Sequence, residues 1–75
     1  MQDLKVETIK KGDVLFFLQS KIELLQRIIG KDQKEEVNMK SMDNKFLEEW
    51  YNGRITARKF DLETLEELKS LINKL

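Results

Sequence analysis

The side chains that most often carry out chemistry are missing from this sequence, which contains no His and no Cys. The usual general base, soft metal ligand and thiol nucleophile go with them. Carboxylates remain, as the adjacent pairs Glu35-Glu36, Glu48-Glu49 and Glu66-Glu67. Neighbours along a helix do not face each other, so no pair converges on one point as an acid and a base must. A carboxylate also needs a pocket to shift its pKa, and a chain of 75 residues seldom encloses one. Gly12, Gly30 and Gly53 stand alone, so there is no glycine-rich phosphate loop. Asp and Glu nowhere take EF-hand spacing. The residue types predict a protein that is not an enzyme and uses no cofactor and no metal.

Residues suited to contact are better represented. Val14-Leu15-Phe16-Phe17-Leu18 is the longest apolar run, five residues, far below the ~20 of a membrane span. Phe16 projects away from its neighbours, among Gln19, Ser20, Glu23 and Arg27. It is an ordinary exposed apolar residue, one covered by the amino-terminal arm, or an interface residue. Lys21 places a charge within an apolar stripe. Either its stem lies along the core with the ammonium in water, or it fixes register and oligomeric state. Trp50 and Tyr51 are of the kind that anchors interfaces. Trp50 is expected in the core, with Tyr51 partly exposed beside it.

Three helical segments are expected to position these residues. The first opens at Gly12-Asp13, with Asp13 as N-cap, and closes at Gly30. Within it Leu15, Leu18, Ile22, Leu25 and Ile29 recur in alternating steps of three and four, widened by Val14, Phe17, Leu24 and Ile28. The second runs from about Asp32 to Tyr51, or begins at Met42 behind a Ser41 cap, and stops at Asn52-Gly53. Met39, Met42, Phe46, Leu47, Trp50 and Tyr51 share its apolar face. The third carries Leu62, Leu65, Leu68, Leu71, Ile72 and Leu75. Its N-cap is Thr56, with Ile55 and Phe60 as a hydrophobic staple, or Asp61, with 54–60 extended. Short strands at 4–10 and 54–60 are the alternative. In a three-helix arrangement Glu48 and Glu49 end one helix while Arg54, Arg58 and Lys59 begin the next. Each then opposes its own helix dipole, and the clusters compensate across the turn.

The segment Arg54-Ile55-Thr56-Ala57-Arg58, followed by Asp61 to Leu68, resembles the strand and first helix of ribbon-helix-helix repressors. That resemblance implies a DNA-binding transcriptional regulator in which Arg54, Thr56 and Arg58 read the major groove; the DNA-binding alternative uses these three with Lys59. The second helix of that family has no counterpart here after Leu75, nor do the residues before Arg54 have a place in its pattern.

Lys and Arg number 14 and so do Asp and Glu, for no net charge. This argues against unspecific binding to nucleic acid or anionic membrane. A cysteine-free chain with no signal-like apolar start fits a reducing, cytoplasmic setting. The fold class expected is all-α: an arm at 1–11, then one helical domain at 12–75, a three-helix antiparallel bundle or a hairpin plus a helix, paired as a homodimer through its first helix. The expected function is a non-catalytic regulator, inhibitor or adaptor, of a kind common among phage and mobile-element products, that binds a larger protein through Phe16, Phe17, Lys21, Trp50 and Tyr51.

Overall fold

Gly30 and Gly53 do not end helices. The computed structural model describes residues 10–75, where α1 spans Lys11–Ser41 and α2 spans Lys45–Asn73, and the two pack side by side as an antiparallel hairpin. Two long helices stand where three were expected. The possible strand at 4–10 and most of the arm lie outside the described residues. That at 54–60 is replaced by helix.

The reason is a seam that runs the length of both helices. On α1, Leu15, Leu18, Ile22, Leu25, Ile29, Asp32, Glu36 and Met39 keep one alternation of three and four. On α2, Glu48, Tyr51, Ile55, Arg58, Leu62, Leu65, Lys69 and Ile72 keep the same rhythm. Every one of these residues is buried or half-buried. This is the seven-residue repeat of a coiled coil, in which each helix turns one stripe to its partner throughout. A mid-helix glycine costs about 1 kcal/mol relative to alanine, too little to break a helix held along its whole length. Neither glycine is needed for close packing, because a Cβ at 30 or 53 would meet nothing within 4 Å.

The reversal comes at residues 42–44. Asp43 takes the left-handed conformation, φ 59°, which Asp and Asn adopt more readily than most residues. Its N–H donates to the Lys40 carbonyl at 3.1 Å, and Asn44 N–H donates to the Met39 carbonyl at 2.8 Å. That pair of bonds is a Schellman motif, which satisfies the last carbonyls of α1. Asn44 then caps α2: its Oδ1 accepts from Leu47 N–H at 3.1 Å. The other expected caps do not form. Ser41 and Thr56 donate their hydroxyls back to the Asn38 and Asn52 carbonyls, and Asp61 lies mid-helix. Lys10, with no side-chain cap, precedes α1, and Asp13 sits in its first turn. Glu48 falls in the first turn of α2, near the positive helix end. The dipole conflict expected at 48–59 therefore does not arise.

Several polar residues in and beside the seam are matched across it. Arg54 Nε donates to Asp32 Oδ2 at 2.8 Å, and Asn52 Nδ2 donates to Glu36 Oε2 at 3.0 Å. Lys69 Nζ donates to Gln19 Oε1 at 2.6 Å. At the open end Lys11 Nζ meets the Asn73 carbonyl at 3.0 Å, a cation on the carboxyl end of a helix. Asp32, only 6% exposed, is the one buried charged residue among those described.

The hairpin is a single layer, 56 × 27 × 14 Å. Its radius of gyration is 17.4 Å, against about 11 Å for a compact chain of this length. The deepest side chains, Leu18 and Ile22, keep 4% of their surface exposed. Domains ordinarily close a core between two layers, and the described residues form one.

Candidate functional site

The seam divides the surface into two flanks of opposite character. One side carries Gln19, Gln26 and Gln33 from α1 and Asn52, Lys59 and Glu66 from α2. It holds the Lys69–Gln19 and Asn52–Glu36 bonds, and Gln19 passes a further bond to Glu23 at 3.0 Å. The other side carries Phe17, Leu24 and Ile28 from α1 and Trp50, Leu68 and Leu71 from α2. Of these only Ile28 is not largely exposed. Phe17, Leu24, Trp50, Leu68 and Leu71 are thus left uncovered on one side of the hairpin.

Within the apolar flank lies an open groove of about 510 Å³. Phe17, Leu24, Leu25 and Ile28 form one wall, and Leu65, Arg58 and Asp61 form the other. Two cations lie against aromatic rings on this flank. Lys21 Nζ is 5.4 Å from the Phe17 ring centre and Arg54 Cζ is 5.4 Å from that of Trp50. Each pair is four residues apart on one helix, the spacing that stacks side chains and suits a cation–π contact. Arg54 is also tied to Asp32. Arg58 differs: its Nε is buried and has no hydrogen-bond partner. Asp61, one turn further along α2, is exposed and does not reach it.

The expected contact residues are only partly brought together. Phe17, 59% exposed, and Lys21 line the groove. Trp50 stands on the same flank toward the turn and is 50% exposed, so it is not core. Tyr51 is the one that enters the seam, half-buried, its ring edge-on to Trp50 at 4.9 Å. The order expected for these two is thus reversed, because they begin α2 instead of ending a helix. Phe16 is 74% exposed on the back of α1, away from the groove. Its carbonyl accepts the Ser20 hydroxyl.

The residues expected to read DNA form no strand and share no single face. Arg54 and Arg58 lie one turn apart on the groove side of α2, whereas Thr56 and Lys59 are exposed elsewhere around it. Sequence reasoning missed Leu24, Arg58, Asp61 and Leu65 as one site. The signal was present: these positions flank or continue the seven-residue repeat once it is carried through Gly30. Among the described residues no group of His, Cys, Asp or Glu is placed to hold a metal ion, and no helix is long and apolar enough to cross a membrane. Compared with known proteins, the chain matches no family model, no curated relative and no solved structure.

Proposed function

We propose that this protein is a non-catalytic helical hairpin that binds another protein through its apolar flank, as a regulator, inhibitor or adaptor working in the cytoplasm. One observation carries the reading. The flank holding Phe17, Leu24, Trp50, Leu68 and Leu71 is left open, while the opposite flank is polar and internally hydrogen-bonded. An amphipathic hairpin gains little by exposing such a face unless something covers it. Phe17, Lys21 and Trp50 belong to the proposed surface. Tyr51 supports Trp50 from the seam, and Phe16 offers a separate contact on the back of α1.

The test compares wild type with the paired substitution Leu24→Glu and Leu68→Glu. Both positions are surface-exposed, so circular dichroism should show the hairpin intact. Binding partners retained from native lysate, or self-association seen by sedimentation, should be lost together. Identical behaviour of the two proteins in both assays would refute the proposal. The competing reading, a DNA-binding regulator using Arg54, Thr56, Arg58 and Lys59, requires a mobility shift with random DNA that weakens steeply as salt rises.

A further inference from the structure

We infer that the groove between Phe17, Leu24, Leu65 and Arg58 receives an acidic amphipathic helix of another protein, one of whose carboxylates meets the half-buried guanidinium of Arg58. This rests on the protein-binding reading above and specifies the chemistry of the partner.

Two independent observations point the same way. The first is Arg58 itself. A guanidinium Nε closed off from water with no acceptor is costly, and Arg cannot relieve the cost by losing its proton. Arg58 also lines the apolar groove, so an acceptor seated there lies beside its guanidinium. The second is the charge around the groove. A second depression adjoins it and shares Leu24 and Ile28. Around the two stand Lys21, Arg27, Lys31, Lys34 and Arg58, against the single carboxylate of Asp61. The chain as a whole has no net charge, so this excess is local.

The shape fits a helix. A groove between two packed helices is where a third seats its stripe, with anchors at i, i+3, i+4 and i+7. Apolar anchors would fill the floor, and Glu or Asp flanking them would meet the row of cations on α1 and Arg58 on α2. A second copy of this chain suits the groove less well, because it would set the same excess of cations against itself. Nucleic acid offers phosphates for the rim but nothing that fills a floor of Phe17, Leu24, Leu25 and Leu65.

The experiment selects displayed helical peptides on the whole chain. Apolar residues are fixed at i, i+3, i+4 and i+7, and the flanking positions vary among Glu, Lys, Gln and Ser. The expected result is strong enrichment of Glu. A selected peptide followed by fluorescence anisotropy should bind at least tenfold more weakly to Arg58→Met, and more weakly still to Leu24→Glu. Arg58→Met should also melt at a higher temperature than wild type, since it removes an unsatisfied buried donor. Loss of binding with a gain of stability is a signature that a merely structural residue would not give.

Enrichment without acidic bias, or undiminished binding to Arg58→Met, overturns the inference. If such peptides still fail on Leu24→Glu, the protein-binding reading survives. A dimer in sedimentation that is broken by Leu24→Glu and blocks all peptides also overturns the inference while leaving that reading in place. No selected peptide and no self-association, or DNA that competes for the groove, sinks both.

Discussion

The two ends of the seam are built from different materials. From Leu15 to Ile29 the α1 stripe is wholly aliphatic and faces the stretch of α2 from Ile55 to Ile72. Among the described residues the buried apolar ones, Leu18, Ile22, Ile29 and Ile55, all belong to this end. Toward the turn the same repeat is occupied by Asp32, Glu36 and Met39 opposite Glu48 and Tyr51, tied by the Asp32–Arg54 and Glu36–Asn52 bonds. The aliphatic end removes apolar surface from water without directional demands. The polar end contributes less by burial, and its bonds are satisfied in one alignment of the helices, the use for which seam polar groups are best attested. The hairpin therefore separates cohesion from alignment along its length.

That division predicts a graded set of effects. Ile22→Ala, in the aliphatic end, should cost about 2–5 kcal/mol. Met39→Ala, half-buried near the turn, should cost clearly less, and equal shifts in the urea midpoint would erase the proposed difference between the ends. Asp32→Ala strands a guanidinium that is itself 38% exposed, so the loss should be smaller, about 1–2 kcal/mol. Its diagnostic effect is on alignment. Spin labels placed on the two helices should report a broader distance distribution in Asp32→Ala than in Ile22→Ala under folding conditions. An unchanged distribution would count against the aligning role.

Asn44→Ala removes the cap of α2 and should cost about 1 kcal/mol, read from thermal melts. The smallest effects should be favourable. Gly30→Ala and Gly53→Ala add a Cβ in open space within helical backbone, and each should stabilise by about 0.5–1 kcal/mol. A loss of stability at either position would show that the glycine serves a contact beyond the hairpin.

These expectations bear on how legible the molecule was. The all-helical class and the face of α1 from Leu15 to Ile29 follow from spacing alone, because a stripe repeating by three and four suits a helix and no strand. The helix boundaries did not follow. Gly30 and Asn52-Gly53 look like stops when judged over a few residues, while the polar run at Asp32–Glu36 hides that the repeat continues through it.

What only the tertiary structure decided was which local signals prevailed. Glycine's preference is worth about 1 kcal/mol, and contacts along a partner helix outweigh it. A Schellman turn at Asp43 needs only a residue tolerant of the left-handed region. The same pairing determined that Tyr51 enters the seam and Trp50 does not. It also collected Phe17, Lys21, Leu24, Arg58 and Leu65, distant in sequence, around one groove. Periodicity is a property of one helix and can be read from its residues. A groove belongs to two helices in a particular alignment, and that alignment is set where Arg54 meets Asp32 and Asn52 meets Glu36.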